Sequence, residues 1–379
     1  MGNISEVKAY LLNNFTDIFL KENYTANRTS IQLYSDEKCI IETANERIKP
    51  HFPSILSTGS NNKIMKLYAL SSKNSKQLIK SLDLENKEYN WKQINHMGGY
   101  YFNTNILNKF SITAWVTKNH NNYGDKSFCI KNIITDFINS KEHTCILIDN
   151  LENSFFYIYN NIDAYTLLTP MRIIRSLLMR PFLENNYIYF HAAAIRYKGK
   201  GILLCGNSGK GKTSTLLHFL NTKKGELIAN DKVFIGIGEE KYVNVWGWPT
   251  VVSIGVGNLN QYEQLRKYLT NIDDVTCIQD LYGYTPKKEY LYLSKEEMKN
   301  LKREGNKLVI SHQHLAKLFN KQIIPNSKVD VIININLQWN YKEKRLRKLD
   351  TNEIISTLNN NIIDNISDQL CWIGCLLHN

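Results

Sequence analysis

Apolar positions along this chain change their spacing more than once, and the changes suggest how it is divided. Residues 5–20 (SEVKAYLLNNFTDIFL) place apolar side chains three and four apart, the period of one helix face, so an opening helix is expected. From about residue 30 to 160 the pattern turns into short apolar runs broken by Asn, Gly and Ser, which predicts strands and turns. Runs at 100–102, 112–116, 144–148 and 155–159 are examples. The last two flank Asp149-Asn150-Leu151-Glu152 and predict a hairpin.

A different texture opens at Thr169. This residue can cap a helix with Pro170 in its first turn, Ile173, Ile174, Leu177 and Leu178 form its apolar stripe, and Pro181 is expected to end it. Strands are predicted at 187–197 and 202–205, joined by the turn Lys198-Gly199-Lys200-Gly201. A helix at 213–220 and a short strand at 227–229 follow, then a hairpin of 233–237 and 242–246 around Gly238-Glu239-Glu240. The remainder alternates: helix near 259–269, strand 289–293, helices 294–303 and 313–319, strand 329–336, helix near 351–360. Helices interleaved with strands predict an α/β fold, a parallel or mixed sheet flanked by helices, over residues 166–379. Residues 1–165 are expected to form an N-terminal α+β domain. No internal repeat is visible.

Composition adds bounds. A length of 379 residues suits two domains, and 43% apolar residues suffice for a core. No apolar run approaches the ~18–20 residues that span a bilayer. Glu6 and Lys8 interrupt any signal-like pattern at the N-terminus, so no membrane association and a cytoplasmic location are expected. Seven scattered cysteines make poor material for a disulfide framework; Cys205, in an apolar run, reads as core, and Cys371 and Cys375 read as a buried helical pair. The net charge of +12 is diffuse, its densest basic run being residues 342–348, and the chain is rich in Lys, Asn, Ile and Tyr throughout. Nucleic acid is therefore not an expected partner.

The strongest chemical signal is Gly206-Asn207-Ser208-Gly209-Lys210-Gly211-Lys212-Thr213, which matches G-x-x-x-x-G-K-[ST]. Chance supplies four fixed positions on the order of once in a hundred chains of this size. Here an apolar strand also enters the loop and an amphipathic helix, opening with Thr213 and Ser214, leaves it. Glycines let successive backbone N–H groups turn inward, and the helix N-terminus adds its positive end. Residues 206–214 are thus the expected binding site for a nucleoside triphosphate such as ATP. Lys212 would meet the β- and γ-phosphates, and Thr213 would meet Mg²⁺. Lys210 reads as solvent-facing.

Two further residues narrow the chemistry. His191 lies on the strand before the loop, and Asn230-Asp231 follows the strand after the loop's helix. Taken alone, His191 could be a core histidine and Asp231 a turn residue. Lys287-Lys288 could grip a substrate phosphate or carboxylate or be a solvated turn, and Trp248-Pro249 could wall a substrate cleft or be core packing. A guanine-reading Asn/Thr-Lys-x-Asp segment and an ABC-type signature are absent.

His191, the loop GNSGKGKT and ANDKV at 229–233 together resemble the HPr serine kinase/phosphorylase family and its peptide-modifying relatives, over roughly residues 170–250. Trp246-Gly247-Trp248-Pro249 resembles the Gly-Trp-Pro of those relatives. The family's acidic pair stands here as Asn230-Asp231, and no match to its later glycine-rich segment is found. The resemblance implies an ATP- and Mg²⁺-dependent kinase acting on a hydroxyl, serine by family bias, of a peptide or small protein. It implies that Lys212 is catalytic, that Asp231 is either the base or a Mg²⁺ ligand beside Thr213, and that His191 orients Asp231 or touches the γ-phosphate. Residues 1–165 would then recruit the acceptor, or form a structural layer covering the kinase sheet, and a homo-oligomer is compatible with this reading. The competing expectations are nucleotidyl or phosphate transfer to a small metabolite, and a non-catalytic nucleotide-sensing regulator, which a neutral Asn230 in place of a second carboxylate keeps open.

Overall fold

The computed structural model describes residues 20–26, 29–52, 63–71, 154–159, 164–238, 241–259, 261–270, 307–337 and 346–363, isolated strands between 88 and 149, and residues 162 and 297. The predicted helix at 5–20, strand at 289–293 and helix at 294–303 lie outside the described residues, except Leu20 and the helical Glu297. Lys287-Lys288 and the Cys371/Cys375 pair lie outside as well. Contacts divide the chain into two units, one of Met1–Asn45, Ser54–Pro181 and Asn365–Asn379, the other of Glu46–Pro53 and Phe182–Asp364. Both helices and strands are well represented, so the fold is mixed α/β. No helix among the described residues is long and apolar enough to cross a membrane.

The first unit carries strands β1 (Leu20–Ala26), β2 (Thr29–Ser35), β3 (Lys63–Ser71), β4 (Glu88–Tyr89), β5 (Lys92–His96), β6 (Gly99–Leu107), β7 (Ile112–Lys118), β8 (Phe128–Cys129), β9 (Thr144–Asp149) and β10 (Ser154–Tyr159). Eight of them form one sheet in the order β1-β2-β3-β10-β9-β7-β6-β5. The four runs named above are strands β6, β7, β9 and β10, and β9–β10 is the predicted antiparallel hairpin. β3 pairs in parallel with both β2 and β10, the two non-antiparallel joints of the sheet. Alternation buries Ile31 and Leu33 of β2, while Tyr159 donates its hydroxyl to Asp36, 2.7 Å away. Helix α1 (Lys38–Ile48), which the sequence reading missed, follows β2.

Helix α2 (Ala164–Glu184) begins five residues before Thr169 and runs through both Pro170 and Pro181. A proline within a helix costs about 3 kcal/mol. Buried Met171, Ile174, Leu178 and Phe182 continue the stripe across Pro181, and that burial outweighs the lost hydrogen bond. The expected stop at Pro181 is therefore corrected to Glu184.

The second unit holds β11 (Ile188–Phe190), β12 (Ala193–Tyr197), β13 (Lys200–Cys205), β14 (Gly225–Ala229), β15 (Val233–Ile237), β16 (Val243–Gly247), β17 (Val251–Gly255), β18 (Lys307–Ser311), β19 (Asn326–Lys328) and β20 (Val331–Asn334). Its helices are α3 (Lys212–Leu220), α4 (Val256–Leu259), α5 (Glu263–Thr270), α6 (His312–Leu318) and α7 (Thr351–Asn359). The expected strand 187–197 is two strands, because chain direction breaks at His191-Ala192 and β11 and β12 enter different sheets. One sheet runs β14-β12-β13-β20, with β12 antiparallel to its neighbours and β13 parallel to β20. The other runs β11-β15-β16-β19. Strand β13 explains its unbroken apolar run. Ile202 and Leu204 face Leu216, Leu217 and Leu220 of α3, while Leu203 and Cys205 face a second cluster with Ile228 and Val233.

Phe52 and Trp248 anchor an aromatic cluster in this unit. Their ring centroids lie 5.6 Å apart, Phe52 meets Phe182 at 6.1 Å, and Phe234 lies 4.8 Å from Phe182 and 4.9 Å from Trp248. Trp248 is fully buried, so it is core and walls no cleft. Phe52→Ala should cost about 3–5 kcal/mol of stability, read as a lowered midpoint in denaturant. A chain begun at residue 166 should show the same loss; an unchanged midpoint in both would contradict this packing.

Candidate functional site

Strand β13 delivers the glycine-rich loop and α3 carries it away. Gly206, Gly209 and Gly211 have φ of 136°, 75° and 103°, values that side chains rarely adopt. Gly206 has a second constraint: a Cβ there would stand 2.5 Å from the carbonyl oxygen of Ile335. Gly211 is the left-handed N-cap of α3, with no side chain capping the helix and no acidic residue in its first turn. The helix's positive end is thus neutralised by neither a capping side chain nor a first-turn carboxylate, the condition for an anion to be favoured there. The backbone beyond β20 braces the loop, Ile335 N–H donating to Cys205 O and Leu337 N–H to Lys210 O, both at 2.9 Å.

Lys212 is folded into the loop, only 8% exposed, and its ammonium donates to Gly206 O at 2.5 Å and Asn207 O at 3.4 Å. Burial lowers its pKa, with the charge of Asp231 working in the opposite sense. Thr213 donates its hydroxyl to Asn230 Oδ1 at 3.2 Å. Cys205, beneath the loop, is fully buried, and burial pushes its thiol up to about 11, so it is inert core.

Asp231 sits where β14 ends. Lys232 N–H donates back to Asn230 O at 2.9 Å, and the residue between them, Asp231, has φ +72°. This is the rarer γ-turn, strained for any residue but glycine, and such strain clusters at functional sites. The turn presents the carboxylate to His191, whose Nε2 lies 2.8 Å from Asp231 Oδ1, with Lys232 Nζ 3.9 Å from Oδ2. His191 and Asp231 side chains are 31% and 42% exposed, so ligand and solvent can reach them. Burial raises the Asp231 pKa, but the hydrogen bond from His191 and the charges of Lys232, His191 and Lys212 prevail and hold it below the usual carboxylate range. Asp231 is therefore ionised at neutral pH.

The geometry thus gathers His191, Asp231, Lys212 and Thr213 at one loop. Asn207, Ser208 and Lys210 stand on the loop itself, Lys210 N–H closing its turn onto Asn207 O at 3.2 Å, and Ser214 lies in the first turn of α3. Among the described residues no group of three His, Cys, Asp or Glu side chains forms a self-sufficient metal site. Thr213 and Asp231 offer hydroxyl and carboxylate oxygens, the hard donors Mg²⁺ takes when phosphate oxygens and waters fill its remaining positions. The residues present fit that ion.

Two participants escaped the sequence reading. His312, fully buried at the start of α6, accepts from Asn230 N–H through Nε2 at 2.7 Å. Its partner ring is His51, edge-on at 4.9 Å. Asn361 accepts from Gly206 N–H and His191 N–H. Neither carries a legible signal: Asn361 ends an Asn-Asn-Asn run in an Asn-rich chain, and His312 shares its segment with His314.

Burial holds the His312 pKa down to about 4, against the raising effects of the Asn230 backbone and the charge of Asp231. An unfolded histidine titrates near 6.5. Below that pH the unfolded chain takes up a proton that the folded chain refuses, so stability is full above pH ~6.5 and falls as pH drops toward 4. The loss from this residue approaches about 3 kcal/mol across that window, and His51 is displaced in the same direction by burial. Denaturant unfolding at pH 7 and 5 should show the loss, with a smaller slope for His312→Gln. Equal slopes would contradict a buried neutral His312.

A scan against protein-family models gives no match to this chain, and a search of curated proteins gives none either.

Proposed function

We propose that this chain is an ATP- and Mg²⁺-dependent kinase of the HPr serine kinase-like kind, moving the γ-phosphoryl group of ATP onto a serine hydroxyl of a peptide or small protein. The observation that carries the reading is the strained turn at Asp231, which holds an ionised carboxylate against His191 beside the phosphate-type loop. A purely structural turn has no need of a left-handed aspartate with a 2.8 Å histidine partner.

Each residue then has a task. The loop amides and the N-terminal end of α3 hold the phosphates, and Lys212 shifts from the loop carbonyls to the β- and γ-oxygens. Thr213 would hold Mg²⁺, with Asp231 its second ligand in the alternative in which Asp231 is not the base, and the ion would neutralise charge on the phosphates. The acceptor oxygen bonds to the γ-phosphorus as the bond to the β–γ bridging oxygen breaks. The acceptor's proton passes to the Asp231 carboxylate, and ADP leaves with the bridging oxygen. His191 donates through Nε2 to Oδ1 and so turns Oδ2 toward the acceptor. A depressed pKa makes Asp231 a weak base. Phosphoryl transfer through a loose transition state asks little basicity and much positioning, so this is sufficient. The eight-stranded sheet of the first unit, with edge strands β1 and β5, offers the kind of surface that takes up an extended peptide acceptor.

The test is to incubate the protein with ATP, Mg²⁺ and a dephosphorylated peptide pool, and to map new phosphate by mass spectrometry. New phosphoserine that depends on Asp231 supports the reading. Phosphate appearing only on small metabolites, or nowhere, overturns it in favour of the metabolite kinase or the nucleotide sensor.

A further inference from the structure

Asn361 lies far along the chain from the glycine-rich loop, yet it touches both halves of the site. It is 3% exposed, immediately after the C-terminal end of α7. Its Oδ1 accepts from Gly206 N–H at 3.3 Å, at the residue where β13 becomes the glycine-rich loop. Its Nδ2 donates to Thr357 O at 2.7 Å. Its backbone carbonyl accepts from His191 N–H at 2.8 Å, and two residues on Ile363 N–H donates to Tyr189 O at 3.0 Å. Residues 361–363 therefore pair antiparallel with the end of β11, an arrangement completed by the Phe190–Ile362 bridge. Thr357 is fixed in turn, since Asn334 Nδ2 donates to its hydroxyl at 3.0 Å at the end of β20, beside the loop strand. A buried asparagine whose amide oxygen, amide nitrogen and main-chain carbonyl are all engaged has one rotamer open to it.

We infer that Asn361 is a positioning residue that fixes the distance between the His191–Asp231 pair and the phosphate loop. The inference rests on the phosphotransfer reading. Main-chain bonds tie residue 361 to His191, and only its side chain ties it to the loop. Truncating that side chain leaves the β12–β13 pairing and the Thr213–Asn230 hydrogen bond in place but removes the bond that fixes Gly206, where the loop begins, against the backbone that holds His191. Small misplacements of this kind lower the chemical step far more than they lower ligand binding.

The experiment compares Asn361→Ala, Asn361→Asp and Thr357→Val with wild type. ATP·Mg²⁺ affinity is read by calorimetry and transfer by single-turnover kinetics on the peptide pool. For Asn361→Ala we expect transfer slowed on the order of 10–10²-fold with ATP affinity changed less than about 3-fold. Asn361→Asp keeps the oxygen that accepts from Gly206 N–H, but only its protonated carboxyl can donate to Thr357 O as Nδ2 does. It should therefore recover most of the rate on the acid side of a pH series and lose it as the carboxyl ionises. Thr357→Val, which loses only the Asn334 tether, should show a smaller slowing of the same kind. Transfer and affinity falling in proportion, or Asp behaving like Ala at every pH of the series, would overturn the positioning role. So would wild-type rates in all three variants. If Asn361→Ala does not fold, the Asp and Val variants decide the question by the same split between rate and affinity. Lys212→Ala serves as control: if it too transfers like wild type, the phosphotransfer reading has failed and not merely this inference.

Discussion

Lys212→Ala is expected to cut productive use of ATP·Mg²⁺ by roughly 10²–10³-fold while the protein stays folded. The ammonium is buried against two loop carbonyls, so the loop is already built to hold a cation there. Removing a buried charge also removes its desolvation cost, which is why the melting temperature should move little. What is lost is a charge placed where negative charge develops on the transferring group. Deleting one such preorganised contact costs about 3–4 kcal/mol of transition-state stabilisation, or roughly 10²–10³ in rate. Single-turnover transfer measures it, with thermal unfolding as the control. Turnover like that of wild type would remove the glycine-rich loop from the mechanism.

Asp231→Asn should slow phosphoryl transfer by roughly 10²-fold or more. The substitution keeps the shape and still lets the side-chain oxygen accept from His191, so it removes charge and little else. The depressed pKa shows that the site favours the ionised form, which His191, Lys232 and Lys212 all support. Nucleotide binding, measured without acceptor, should survive better than transfer. If transfer falls while Mg²⁺ dependence is unchanged, Asp231 serves the acceptor proton; if the Mg²⁺ requirement rises in step, it serves the ion. Full activity in this variant would defeat the role assigned to the residue.

Much of this site was legible because its residues obey local rules. The loop's glycines, the strand before it and the helix after it are each dictated within about twenty residues, and β13 with its unbroken apolar run reads directly as a strand buried on both faces. The pairing of β9 with β10, and the hairpin of β15 with β16, followed from alternation and turn chemistry for the same reason.

What was not legible depends on contacts between distant positions. His191 looked like the interior of one strand, and only the divergence of β11 and β12 into two sheets shows why the chain breaks there. Helix α2 passes two prolines because the burial of Phe182 and its neighbours outweighs a local penalty that sequence rules count in full. His51 and Phe52 come to the second unit from an early stretch that pattern alone gives no reason to place there. Asn361 is one of three consecutive asparagines, and nothing but tertiary hydrogen bonding sets it apart from Asn359 and Asn360.

The most direct measurement of the central claim uses ATP labelled at either the γ- or the α-phosphorus, with Mg²⁺ and serine-containing peptide acceptors. The γ-label is expected to move to the acceptor while α-label stays in ADP, and Lys212→Ala and Asp231→Asn should suppress the transfer. Label reaching the acceptor from the α-position, or ATP bound tightly with no label moved to any hydroxyl, would contradict the claim.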